Sequence, residues 1–148
     1  MRSWLTKKIL SRNVARIRQG DYGPTLRMDR DDVTFTFPGT SSWGGVFHGK
    51  QELEPWLQRC VRVGLQTFVH EVVVKGPPWH MTISLRGTDF AKSPSGEVVY
   101  ENRFVIWGYA SWGRLTEYEV YEDTEKSLAF DAYLLEHEAE HHVVSALP

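Results

Sequence analysis

GEVVYENRFVIWGYASWGRLTEYEVYEDT, residues 96 to 124, is the stretch that decides the fold. Val98, Val99, Tyr100, Phe104, Val105, Ile106, Trp107 and Tyr109 give its first arm the β-branched and aromatic content of a strand buried on much of both faces. Ser111-Trp112-Gly113-Arg114 then supplies a glycine where the backbone must reverse. Beyond it Leu115 to Tyr121 alternates as a half-exposed strand does. The first arm is apolar on both sides, so alternation alone leaves open whether Asn102 or Arg103 points inward.

Upstream, the apolar residues keep a strand period as far back as Gln66. Gln66 to Lys75 forms one strand and Gly76-Pro77-Pro78 ends it. Trp79 to Phe90 forms the next, with Trp79, Met81, Ile83 and Leu85 on one face and His80, Thr82, Ser84 and Arg86 on the other. Before Gln66 the period is helical: Leu53, Trp56, Leu57, Cys60 and Val61 mark one stripe of a helix starting near Gln51, where Pro55 fits only in the first turn. The segment TSSWGGVFHG (40 to 49) reads as a glycine-rich loop bringing Trp43 and His48 near each other. Val33 to Phe37 alternates as a strand stopped by Pro38-Gly39, and Thr25 to Asp31 holds one helical turn. Residues 3 to 19 form a first helix, with Ser3 as N-cap and Gly20 just past the end. Residues 125 to 142 form a terminal helix that frays into VVSALP. Helices first and antiparallel strands afterwards is the order of an α+β fold.

The chain has 148 residues, 41% of them hydrophobic, enough for one domain with a packed core and an apolar cavity. A net charge of −2 exerts no pull on nucleic acid or anionic membrane. The basic residues between Arg2 and Arg18 lack the aromatic interleaving of a nucleic-acid platform, and Leu5, Ile9, Leu10, Val14 and Ile17 suit a helix packed on a sheet better than a targeting segment. No apolar run approaches the roughly 18 residues that span a bilayer. The single cysteine, Cys60, can form no internal disulfide, which suits the cytoplasm.

Four segments, DRDDVTFTFPG (29 to 39), GGVFHGKQEL (44 to 53), YENRFVIWG (100 to 108) and GRLTEYEVYEDT (113 to 124), resemble in order and spacing those of the nuclear transport factor 2-like superfamily, in its SnoaL-like branch. The resemblance implies a cone-shaped, cystatin-like α+β domain over residues 1 to 125, its curved antiparallel sheet wrapped around the N-terminal helices. Residues 126 to 148 would be a helical tail packed on that domain or frayed from it. It also implies a pocket for a small apolar or polycyclic organic molecule, and a homodimer. The places where relatives carry their acids are apolar or amide here. The isomerase base position is Phe37 before Pro38, the isomerase oxyanion donors fall near Asn13 and near Val105 or Ile106, and the epoxide-hydrolase aspartate falls on Val120. The Arg-x-Asp pair of those hydrolases has no counterpart in HMTISLRG (80 to 87), although Arg86 supplies one cation. The polyketide cyclases' inward histidine has two candidates, His70 and His80. A funnel without its relatives' acids is therefore the expectation.

Among the polar residues left, His70 is the catalytic candidate. It lies between Val69 and Glu71 on the side of Phe68 and Val72, where apolar surroundings would make it a base near neutral pH. Asn102 would orient a carbonyl or water, Tyr118 and Tyr22 would donate to a ligand oxygen, Trp43 would act as a lid and Arg86 as the cation. Each also has a plain structural reading as a satisfied polar group or a wall residue. His137-Glu138-Ala139-Glu140-His141 matches the zinc signature HExxH, but only seven residues follow it, leaving no room for a third ligand downstream. Stray binding of zinc or nickel by His137, His141 and His142 is the milder reading, and no metal or cofactor is expected. Two functions stay open: an acid/base cyclase, isomerase or dehydratase acting on a pocket-bound molecule, and a non-catalytic dimeric binding or assembly module with a plugged pocket.

Overall fold

The computed structural model describes the backbone of residues 2–146 and the side chains of residues 3–141; His142 falls outside the described side chains. The elements run α1 (Arg2–Arg18), α2 (Gly23–Met28), β1 (Asp29–Phe37), β2 (Gly45–His48), α3 (Gly49–Arg62), β3 (Gln66–Lys75), β4 (Met81–Lys92), β5 (Val98–Ser111), β6 (Arg114–Glu122) and α4 (Thr124–Ala146). The six strands form one sheet in the order β2-β1-β6-β5-β4-β3. All neighbours are antiparallel except β1 and β6, which run parallel. Register shifts add residues to β1, β3, β5 and β6 relative to the strand each pairs with, which bends and twists a sheet. The result is the expected α+β funnel. Leu10 of α1 and Leu53 and Leu57 of α3 are buried in one core with Val33, Phe35, Leu85, Phe104 and Val120 of the strands. Each fully buried leucine of this kind contributes about 1.5–3 kcal/mol.

The quoted hairpin is β5 and β6. Trp112 (φ 51) and Gly113 (φ 82) are both left-handed, as a two-residue turn matched to strand twist requires. The orientation of β5 is settled by burial: Tyr100, Asn102, Phe104, Gly108 and Ala110 are buried while Glu101, Arg103 and Val105 are exposed.

Several expectations are corrected. The helix begins at Arg2, so Ser3 lies inside it. Val46, Phe47 and His48 do not belong to a loop: Gly45–His48 pairs with β1 and sets an exposed His48 opposite Thr34, while Trp43 is buried on Trp56 and Phe130. Pro55 lies six residues into α3 rather than in its first turn. It faces solvent, so the Gln51 carbonyl that loses its helical donor can turn to water. Trp79 is 60% exposed and precedes β4. The C-terminal helix packs against β5 and α3. Ser127, Phe130 and Leu134 recur on one face and are buried, and Phe130 meets Tyr100 edge-on at 4.6 Å. Among the described residues no helix is long and apolar enough to cross a membrane.

Candidate functional site

The helices and the concave side of the sheet enclose a cavity of about 160 Å³. That is comparable with the roughly 150 Å³ apolar cavity known to take up benzene. Its wall is mostly aliphatic and aromatic, including Phe35, Leu53, Trp56, Leu57, Phe104 and Ile106. Phe35 and Trp56 pack edge-on at 4.8 Å, and Phe35 and Tyr118 lie 5.0 Å apart. None of the lining residues is lysine, arginine or histidine.

One end of this wall is acidic, contrary to the expectation of an acid-free funnel. Asp89 of β4 and Glu122 of β6 both line the cavity, with Tyr100 and Ser127 beside them. The strand pattern explains why. On β4 the buried positions are Ile83, Leu85, Gly87, Asp89 and Ala91, so Asp89 sits on the apolar face by the same alternation that places Leu85 there. The missing Arg-x-Asp spacing concealed it, because the acid stands three residues past Arg86. Glu122 follows Tyr118 and Val120 on the inner side of β6.

The two acids have different surroundings. Glu122 accepts hydrogen bonds from the Ser127 hydroxyl and, at 3.3–3.4 Å, from the Tyr100 hydroxyl. Burial pushes its carboxyl up, and those two donors pull it back toward the charged form. Asp89 is 8% exposed, and its Oδ1 has no hydrogen-bond partner among the described residues. Burial pushes the Asp89 carboxyl up to about 8, and the neighbouring Glu122 charge adds to the rise. Asp89 is therefore neutral near pH 7, while the two hydroxyls on Glu122 favour its charged form, the kind of unequal pair that acid/base sites use. Burial also drives the Cys60 thiol and the Tyr100 phenol well up, so neither ionises in the neutral range.

The residues expected from sequence are scattered. His70 is exposed, its Nε2 2.8 Å from Thr88 Oγ1, on the outer side of the sheet. The register shift between Val69 and Glu71 inserts one residue there, so His70 no longer shares a face with the buried Val72. His80 is exposed as well and stacks on Tyr109 at 5.4 Å. Arg86 is exposed and pairs with Glu71 at 2.9 Å. Tyr22 lies on a separate polar cleft with Lys50 and Glu54, donating to Glu54 at 3.0 Å. Trp43 and Tyr118 do line the cavity. Trp43 is a fixed wall residue, with Trp56 Nε1 donating to its carbonyl at 3.0 Å and Arg59 4.0 Å above its ring. Asn102 is buried but outside the lining. Its Nδ2 donates to the Tyr100 hydroxyl at 3.1 Å and to the Asp123 carbonyl at 3.0 Å, which aims Tyr100 at Glu122. Phe37 and Phe104 line the cavity without filling it, Phe68 stacks on Phe90, and Trp107 is 47% exposed outside. His141 is buried against the Tyr133 hydroxyl at 2.9 Å and His137 faces Glu140 at 3.2 Å. Among the described residues no group of three or more His, Cys, Asp or Glu is placed to hold a metal ion.

No family model and no curated protein matches the sequence. Solved structures do match it in fold. An NTF2-like protein of unknown function from Burkholderia pseudomallei superposes with a TM-score of 0.70 at 18% identity, over 85% of this chain and 96% of that one. TerC, co-crystallised with polyporic acid, gives 0.66 at 20% identity over 90% and 98%. PrhC from Penicillium brasilianum gives 0.71 at 14% identity over 94% of each chain.

Proposed function

We propose that this chain, which has the nuclear transport factor 2-like fold, binds a small, mainly apolar ring compound in its funnel and carries out acid/base chemistry on it with Asp89 and Glu122. The observation behind this reading is the Asp89 carboxyl, buried in an apolar wall with an unpartnered oxygen beside a hydrogen-bonded second acid. Asp89, protonated, donates to a ligand hydroxyl or carbonyl oxygen. Glu122, ionised, takes a proton from the adjacent carbon. In a dehydration the hydroxyl leaves as water with the Asp89 proton, the C–H electron pair becomes the new double bond, and the proton gained by Glu122 returns to Asp89. In an isomerisation the same two transfers give an enol, which returns its oxygen proton to Asp89 as Glu122 delivers its proton to a different carbon. In a ring closure the C–H electron pair forms a C–C bond to a carbonyl carbon whose oxygen takes the Asp89 proton, and the proton on Glu122 returns to Asp89. The cavity volume suits one ring and a short tail, a narrower class than the polycyclic ligand anticipated from sequence. The co-crystallisation of TerC with polyporic acid supports an organic ligand for a chain of this fold.

The test uses a single-ring β-hydroxy ketone, the aldol adduct of benzaldehyde and acetone, with conversion to the conjugated enone followed by absorbance. Turnover should be lost by a hundredfold or more in Asp89→Asn and in Glu122→Gln with folding retained. Equal rates in all three proteins, or the background rate in each, would falsify the acid/base reading.

The non-catalytic reading rests on the aromatic wall, where Phe35, Phe37, Trp56 and Tyr118 crowd one side of the cavity. It predicts binding of the same adduct with no enone formed. A homodimer belongs to either reading. Val105, Trp107 and Tyr121 stand exposed on the outer face of adjacent strands, and burial of these side chains would drive pairing. Sedimentation should show a dimer that Trp107→Glu converts to monomer.

A further inference from the structure

The acidic end is not the cavity's only polar end. Tyr118 lines the cavity, yet its hydroxyl is directed away from Glu122 and donates to Asp29 Oδ2 at 3.3 Å. Asp29, at the start of β1, is 0% exposed, and its Oδ1 has no partner among the described residues. Thr25, on the short helix just before it, also lines the cavity and has a buried, unpartnered hydroxyl. Asn13 of α1 closes this end, with Nδ2 donating to the Pro24 carbonyl at 3.3 Å and Oδ1 buried without a partner. Three orphaned polar atoms gathered at one place are costly unless something satisfies them.

Strand register fixes the spacing of the two ends. Tyr118 and Glu122 are four residues apart on the same face of β6, about 13 Å along the strand. Asp29 lies opposite Leu115, on the far side of Tyr118 from Glu122. Between them the wall is apolar, with Phe35, Leu53, Ile106 and Val120.

We infer that Tyr118, held by Asp29, is a second hydrogen-bonding point of the cavity, and that the ligand is a neutral, elongated single-ring molecule carrying an oxygen at each end. This rests on the reading of the cavity as a ligand site and specifies its ligand class. Neutrality follows from the lining, which has no basic side chain and carries its two acids at one end, with Asp29 behind Tyr118 at the other. Length follows from the register: a bare quinol is too short to reach both ends, whereas a ring with a three-carbon tail ending in a hydroxyl spans most of the gap.

The experiment is calorimetric titration of the full chain, as wild type, Tyr118→Phe and Asp89→Asn, with three neutral probes: para-propylphenol, phenylpropanol and para-hydroxyphenylpropanol. The two-oxygen probe should bind wild type about fivefold to tenfold more tightly than either one-oxygen probe. Tyr118→Phe should remove that advantage and leave the tighter one-oxygen probe unchanged, while Asp89→Asn weakens all three. In wild-type protein, proton contacts by NMR should place one end of the two-oxygen probe against Tyr118 and the other against Phe130, a reading that needs no variant to fold. If the probes bind with dependence on Asp89 but without preference for two oxygens, or if Tyr118→Phe weakens all three alike, the second polar point is overturned and the ligand site stands. If no probe binds, or binding ignores Asp89, both are overturned.

Discussion

The Ser127 hydroxyl, in the first turn of α4, donates to Oε1 of Glu122 at the end of β6. A helix that closes the funnel is thereby tied to one of the two acids inside it. Bonds to a charged partner contribute about 1.5–3 kcal/mol, so Ser127→Ala should lower unfolding free energy in urea by about 2 kcal/mol. It should also raise the Glu122 carboxyl further, since one of the two donors favouring its charged form is gone. In the turnover assay the acidic limb of the pH profile should move to higher pH, whereas Ser127→Thr keeps the donor and the profile.

Asp89 and Asp29 make stability depend on pH in the direction opposite to most carboxylates. Their folded-state values are raised to about 8 and about 7, above the ordinary range near 4 of an unfolded chain. Between those limits the folded protein holds a proton that the unfolded chain has released. Stability is therefore full below pH 4 for these two groups and declines as pH rises, by about 1.4 kcal/mol per pH unit for each group until its folded value is passed. The melting temperature should fall between pH 5 and pH 8. Asp89→Asn should flatten that fall, and a slope unchanged by the substitution would show that Asp89 ionises normally.

The funnel was legible in the sequence because its elements carry clear periods: helical in Leu53, Leu57 and Cys60, alternating in Ile83 and Leu85, and punctuated at Trp112-Gly113. The site was only partly legible. Parity continued past Arg86 reaches Asp89, so that acid was available to sequence reasoning; a search at relatives' acid positions passes over it. His70 was misplaced because a register shift leaves no composition signature. The binding of Ser127 to Glu122 required the path of α4, whose alternating charges disguise a buried face of Ser127, Phe130 and Leu134.

Arg59 holds α4 to the rest of the domain. Its Nε donates to Glu138 at 2.7 Å, its Nη1 to Ser42 Oγ at 2.8 Å, and its guanidinium lies 4.0 Å from the centre of the Trp43 ring. The side chain is 19% exposed, so these contacts are less screened than those of a surface pair. Arg59→Met keeps the aliphatic packing and removes the charge. Amides of α4 near residues 131 to 138 should exchange at least tenfold faster, with β4 and β5 unaffected. Uptake of para-propylphenol should also quicken if Phe130 moves with the helix.

Gly87 is where the sheet can least accept a side chain. A Cβ built there would lie 2.0 Å from the Phe68 carbonyl oxygen and 2.8 Å from Cζ of Phe104. The second contact is with a ring that can tilt; the first is with the backbone of the paired strand and can be relieved only by parting β3 from β4. Gly87→Ala should therefore destabilise by about 3 kcal/mol or more. Trimming the ring in Gly87→Ala/Phe104→Leu should restore little of it, because the carbonyl contact remains. Substantial recovery in the double variant would place the conflict at Phe104 instead, and would mean that the cavity wall, not the strand spacing, requires glycine at this point.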